Sequence, residues 1–175
     1  MPIDTSVKFV AINIVVITIS DTRTSENDTS GDTLEKRIVQ SGHRMIKRII
    51  IPDDVKVIKN SLDSISQEKE VDCIITTGGT GLTGRDTTPE AVKEIASKQI
   101  DGFGELFRQV SFEKIGTSAI QSRAVAALIN STYVFCLPGS TGACKDGWDE
   151  ILKYQLDIRH KPCNFVEIMP RLNEK

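Results

Sequence analysis

The chain lacks long apolar runs, clustered basic residues and paired cysteines, and each absence removes a class of function. The longest apolar stretch, Phe9 to Ile19, is interrupted by Asn13 and Thr18 and falls far short of the ~20 residues a membrane span needs. Met1-Pro2-Ile3-Asp4-Thr5-Ser6-Val7-Lys8 carries no cationic segment ahead of that run, and no small-residue cleavage site follows it. It does not read as a signal peptide. Lysine and arginine number 22 against 24 aspartates and glutamates, a net charge of −2, with no basic stripe of the kind that reads a phosphate backbone. The partners expected are therefore neither nucleic acid nor a membrane. Cys73, Cys136, Cys144 and Cys163 include no Cys-x-x-Cys pair, and only two histidines could assist them, so no zinc site is expected. Cys73 and Cys136 sit inside apolar runs as small hydrophobes, and unpaired thiols suit the cytoplasm.

What is present is enough apolar material for a core. With 175 residues, 39% of them hydrophobic, a domain buries roughly 70% of its unfolded surface and needs no staple. Val10 to Ile19 is β-branched nearly throughout, and a continuous apolar run indicates a strand covered on both faces. Asp28-Thr29-Ser30-Gly31 then leads into a helix with Leu34, Ile38 and Val39 on its stripe, closing at Gly42. The unit repeats with a strand from Met45 to Ile51, a turn at Pro52-Asp53-Asp54 and a helix carrying Val55, Ile58, Leu62 and Ile65. A third strand, Val71 to Thr77, runs into Gly78-Gly79-Thr80-Gly81. Strand-helix units in series predict an α/β fold with a parallel sheet and right-handed crossovers.

Further on, Thr87 or Thr88 is expected to cap a helix that has Pro89 in its first turn and Glu90 placed for a capping box. Gly102-Phe103-Gly104 is expected to break it, and helical stretches are expected around Glu105 to Glu113 and Ser118 to Leu128. A strand from Tyr133 to Leu137 then turns through Pro138-Gly139-Ser140-Thr141-Gly142 into a last helix bearing Trp148, a core residue by its spacing with Ile151 and Leu152. With no repeat or linker, residues 1–175 read as one domain with an irregular tail from about residue 160.

The chemistry concentrates in Thr76 to Glu90. Gly79, Gly81 and Gly84 satisfy the spacing of both a dinucleotide fingerprint and a P-loop, and both readings fail on context. Arg85 and Asp86 replace the P-loop's lysine and hydroxyl, and the helix begins only near Pro89, too late for a tight strand-turn-helix. What the spacing offers is a glycine loop able to approach an anion, with Arg85 beside the phosphate and Asp86 presenting a carboxylate to magnesium. The plainer alternative is a long turn whose Asp86 caps a helix. Pro138-Gly139-Ser140 forms a second loop of this kind, or simply a strand-to-helix turn. Asp53 and Asp54 stand at the end of another strand, as a third edge of the cleft or as helix caps. His43 and His160 have no nucleophile beside them in sequence, and Arg108 and Arg123 read as solvated or ion-paired.

Thr77-Gly78-Gly79-Thr80-Gly81, running on to Arg85-Asp86-x-Thr88-Pro89-Glu90-Ala91, strongly resembles the MoaB/MogA family of molybdenum cofactor biosynthesis. Asp28-x-Ser30-Gly31, Gly102-Phe103-Gly104-Glu105-x-x-Arg108, Ser122-Arg123-Ala124 and Leu137-Pro138-Gly139-Ser140 extend the match over nearly the whole chain, and Arg159-x-Lys161-Pro162-Cys163-Asn164-Phe165 resembles the MoaB branch. The resemblance implies a three-layer α/β/α sandwich around a mostly parallel sheet, assembling as a trimer or dimer of trimers and working with other enzymes of the pathway. It implies adenylylation of molybdopterin by MgATP with release of pyrophosphate. Gly78, Gly79, Thr80, Gly81, Arg85, Pro138, Gly139 and Ser140 would bind molybdopterin or nucleotide. Asp86 and Asp53 would be catalytic and hold magnesium. Thr141 stands where the family's adenylylating members carry a proline, which keeps open a non-catalytic molybdopterin- or nucleotide-binding protein of the same pathway.

Overall fold

The computed structural model describes residues 3–174; Met1 and Pro2 of the amino-terminal reading and Lys175 of the tail lie outside the described residues. Four strands run parallel: β1 (Asn13–Ile19), β2 (Arg44–Ile51), β3 (Cys73–Thr77) and, later in the chain, β6 (Thr132–Leu137). Two more, β4 (Lys98–Gln99) and β5 (Val125–Ile129), complete a six-stranded sheet in the order β2-β1-β3-β6-β5-β4, with β5 antiparallel to both of its neighbours.

Helices cover both faces. Ile14 and Val16 of β1 face α1 (Thr29–Gln40) through Leu34 and Ile38, and the same layer receives Phe103 and Phe107 of α4 (Asp101–Ile115) and Trp148. Val15, Ile17 and Ile19 face the opposite layer, formed by Ile58, Leu62 and Ile65 of α2 (Val55–Ser66) with Ala91 and Val92 of α3 (Thr88–Ile95). Successive residues of β1 thus enter different cores, which is why its apolar run does not alternate. The result is the expected three-layer α/β/α arrangement.

Three expectations are corrected. Ser118 to Leu128 is helical only at its start: a 3-10 helix, Gly116–Gln121, gives way to β5. Ala126, Ala127 and Leu128 suit a helix locally, but Asn130 and Ser131 adopt φ of 47° and 69°, the left-handed pair of a tight hairpin turn. Pairing with β6 then outweighs propensity. Gly102-Phe103-Gly104 does not break a helix: α3 has already ended at Ile95, and the segment forms the first turn of α4, where Gly104 packs so closely that a Cβ would lie 2.4 Å from the Ala124 carbonyl oxygen. The tail is not wholly irregular either. Asn164 caps a short helix, Phe165–Ile168, whose Phe165 ring packs at a tilt 4.8 Å from Tyr133 and 5.4 Å from Phe135.

A buried charge anchors α1 to the sheet. Asp28 is fully buried at the helix N-cap, where it accepts hydrogen bonds from Gly31 N–H (3.0 Å), Thr18 Oγ1 (2.7 Å) and Arg48 Nη2 of β2 (2.8 Å). Burial alone would raise its carboxyl, but those donors, Arg48 first, hold it below the usual range. Arg48→Met leaves this carboxylate unpaired and should cost about 3 kcal/mol of unfolding free energy, measured by urea denaturation at neutral pH. A loss below about 1 kcal/mol would contradict the anchor.

His43 is buried against Phe9 and Trp148, and burial pushes it down to about 4, although Asp157 opposes the shift. Its Nδ1 accepts from Ile12 N–H at 3.3 Å. The neutral ring is favoured by folding, so its contribution is complete above the unfolded histidine value of roughly 6.5 and lost as pH falls toward 4. Replacing His43 with glutamine should flatten the pH dependence of stability over that window, followed by urea midpoints. An unchanged slope would count against it.

Candidate functional site

Parallel strands deliver their following loops to one edge of the sheet. The loops after β1, β2, β3 and β6 meet there around a cavity of about 660 Å³. Asp53, Gly78, Gly79, Thr80, Gly81, Arg85, Asp86, Pro138, Gly139 and Ser140 all line it. The sequence-predicted residues are thus brought together without exception, from three separate stretches of chain.

Glycine is required at defined points of this cleft. Gly78 has φ of +111°, and a Cβ there would lie 2.1 Å from the Ile19 carbonyl oxygen at the end of β1. Gly79 has φ of +65°, and a Cβ would meet Thr88 Oγ1 at 2.3 Å and the Asp53 carboxylate at 3.0 Å. At Gly81 the obstacle is Asp86 Oδ2, 2.8 Å away. Both carboxylates therefore sit where side chains on the loop would otherwise be. Gly84, equal to the others in a motif reading, has open space around it. The second loop packs directly on the first, with the Gly139 Cβ position 3.3 Å from the Gly78 Cα.

The loop's polar groups are left available. Gly79 and Thr80 N–H donate to no protein acceptor among the described residues, and the buried Thr80 hydroxyl has no partner either. Asp86 Oδ2 accepts from Thr83 N–H (2.8 Å) and Thr83 Oγ1 (2.6 Å). Burial would raise this carboxyl, but the Thr83 bonds bring it below the usual range. Asp53 moves the other way: burial lifts it, Thr87 pulls against the shift, and the like charges of Asp86 and Asp21 add to it. Asp54, by contrast, is the cap of α2, accepting from Lys56 and Val57 N–H at 2.9 and 3.0 Å.

The expected capping box at α3 does not form. Thr87 occupies the N-cap position, but its hydroxyl turns to Asp53 Oδ1 (3.3 Å), Thr88 Oγ1 donates to Gly78 O (3.1 Å), and Glu90 pairs with Arg123. The site takes the groups that local capping would have used. Arg123, expected to be merely solvated or ion-paired, also clamps the loop, donating from Nε to Gly81 O (2.7 Å) and from Nη2 to Asp86 O (2.8 Å). Arg85 is largely exposed and pairs with Asp21 at 2.6 Å. Ser140 caps the helix Thr141–Asp146 through Ala143 N–H at 3.1 Å.

Sequence reasoning missed Ser20, Asp21 and Thr22, and also Ser111 and Gln121 on the opposite wall. The first three were within reach, since β1 was expected to be parallel and its polar carboxyl end must open on the same edge. The wall gave no local signal, because its position depends on the β4-β5-β6 pairing. Among the described residues, no three histidine, cysteine or acidic side chains converge tightly enough to hold a metal alone, and no helix is long and apolar enough to cross a membrane.

Fold and cleft define an open α/β protein with a cavity beyond the carboxyl ends of its parallel strands, the place where such sheets bind ligands. The family described as a probable molybdopterin binding domain matches residues 15–158. Molybdenum cofactor biosynthesis protein B of Escherichia coli (strain K12) is 41% identical over 160 residues, covering 91% of this chain and 94% of that protein. Its Bacillus subtilis (strain 168) namesake is 40% identical over 138 residues, 78% of this chain and 81% of that one. A crystal structure of a molybdenum cofactor biosynthesis protein B superposes with a TM-score of 0.84 at 36% identity, covering 94% of this chain and 98% of that one. The tungsten cofactor synthesizing protein MoaB from Pyrococcus furiosus gives 0.72 at 34% identity, covering 81% and 91%. The chain belongs to the MoaB/MogA family of molybdenum cofactor biosynthesis proteins, on its MoaB branch.

The glycine geometry makes a paired prediction. Gly79→Ala should lower stability by about 2 kcal/mol, from a strained φ and the Thr88 clash, whereas Gly84→Ala should stay within about 0.5 kcal/mol of wild type. Thermal melts of the two variants check this, and equal effects would refute the distinction.

Proposed function

We propose that this chain adenylylates molybdopterin with MgATP, releasing pyrophosphate. The observation that carries the reading is that two glycine loops and two carboxylates, from three stretches of sequence, line one cavity of about 660 Å³. That volume lies within the range of small-molecule sites.

In the reaction, a phosphate oxygen of molybdopterin forms a bond to the α-phosphorus of ATP. The bond from that phosphorus to the oxygen bridging the β-phosphate breaks, and pyrophosphate leaves with the electron pair. No protein nucleophile takes part, so the chain's contribution is orientation and charge compensation. The N–H groups of Gly79 and Thr80 and the Thr80 hydroxyl supply donors for phosphate oxygens. Arg85 adds a cation at the mouth, and the first turn of the helix after Ser140 offers further donors.

Asp53 and Asp86 fit a magnesium site. Asp21, Asp53 and Asp86 line the cavity together, and Asp53 is raised first by burial, with the like charges of Asp86 and Asp21 adding to the rise. A divalent cation relieves that repulsion, and magnesium commonly uses one or two carboxylates with substrate phosphates completing its shell. Bound there, it would neutralise charge on the polyphosphate.

Thr141 favours a second reading, binding without turnover. It opens the helix after the second loop, with its hydroxyl 3.2 Å from that of Thr29, where adenylylating relatives are expected to carry proline. The two readings separate when purified protein is incubated with molybdopterin, ATP and magnesium and pyrophosphate is assayed. Asp86→Asn should lower turnover by about 100-fold or more, with the fold retained because the asparagine oxygen still accepts from Thr83 N–H. Wild-type turnover by that variant would remove Asp86 from the mechanism. Ligand-dependent stabilisation of the wild type without pyrophosphate would establish the second reading.

A further inference from the structure

Outside the residues already assigned, Asp21 has an unusual set of connections. Its carboxylate uses one oxygen for each of two other loops. Oδ1 accepts from Asp53 N–H at 3.3 Å, and Oδ2 pairs with Arg85 Nη2 at 2.6 Å. Asp21 is itself fixed from below. Ser20 N–H continues the β1-β2 ladder by donating to Ile51 O at 2.9 Å, and Ser20 Oγ accepts from the N–H groups of Thr22 and Arg23, both at 3.2 Å. The loop after β1 is thus a rigid post standing between the loop that presents Asp53 and the loop that presents Arg85. All three side chains line the same cavity.

Arg85 has no other ion pair among the described residues, and its side chain is 72% exposed. A surface ion pair of this kind adds little to stability. Its consequence is geometric: a long, otherwise free guanidinium is held at the cavity mouth, in register with Asp53. We infer that Asp21 is a positioning residue that aligns Arg85 and Asp53 on one polyphosphate ligand, rather than a residue that stabilises the fold. The inference rests on the proposed nucleotide reading.

Two substitutions separate the two connections. Asp21→Asn keeps an oxygen for Asp53 N–H but loses the charge that holds Arg85, so KM for ATP should rise about tenfold with kcat nearly unchanged. Asp21→Ala frees both partners, and kcat should fall about tenfold as well. In an Arg85→Ala background, Asp21→Asn should have no further effect on KM, since the pair acts as a unit. Circular dichroism and thermal melts check that the variants fold.

Titration of Mg·ATP by calorimetry, run on wild type and these variants, keeps this inference distinct from the proposed reaction. If wild type binds Mg·ATP but releases no pyrophosphate, the adenylylation reading fails, while an Arg85-dependent loss of affinity in Asp21→Asn still supports the positioning role. Wild-type KM and affinity in Asp21→Asn, or equal losses with and without Arg85, would overturn it. Absence of Mg·ATP binding to the wild type would overturn both.

Discussion

The close approach of the glycine loop to its neighbours is the constraint on which the ligand end of this molecule depends. Gly78 lies so near the end of β1 that a single methyl group would overlap the Ile19 carbonyl, and Gly139 packs on Gly78 with only tight room for a Cβ, 3.3 Å from the Gly78 Cα. Because these backbones touch, the first and second loops form one continuous floor. The carboxylates of Asp53 and Asp86 then fill the space that side chains at positions 79 and 81 would have taken. The glycines matter less for flexibility than for the room they leave to acidic groups.

Elements further from the cavity hold that floor still. The buried Asp28–Arg48 pair fixes the start of α1 against β2, and two residues on, Ser30 Oγ donates to Gly139 O at 2.9 Å. Thr77 Oγ1 donates to Pro138 O at 3.0 Å from the end of β3. On the other side Arg123, leading into β5, holds the carbonyls of Gly81 and Asp86. The loops around the cavity are thus tied to three different strands by side chains whose own positions are set by the sheet. Such support from rigid elements keeps the geometry of a site within narrow limits.

Much of this could be read from the residues. The β-branched, non-alternating run of β1 announced a central parallel strand, and a parallel sheet already says that ligands lie beyond the strand ends. Asp53 and Asp86, 33 positions apart, were paired by resemblance, and the cavity unites them. What escaped were features decided by distant partners. Val125 to Ile129 is a strand because β6 and a left-handed turn at Asn130-Ser131 make it one, against the helical preference of its alanines. Arg123 looked like an ordinary surface cation, because nothing in its neighbours reveals that two loop carbonyls lie within reach. Thr87 and Glu90 satisfied a capping pattern that the site overrides, which is where local rules are expected to fail.

The proposed function places a phosphorylated ligand in one cleft, between the two glycine loops. A crystal structure of the protein soaked with Mg·ATP tests this most directly. The account predicts polyphosphate density bounded by Gly79, Asp53, Asp86 and Gly139. Nucleotide density elsewhere on the molecule, with this cleft empty at saturating ligand, would contradict it.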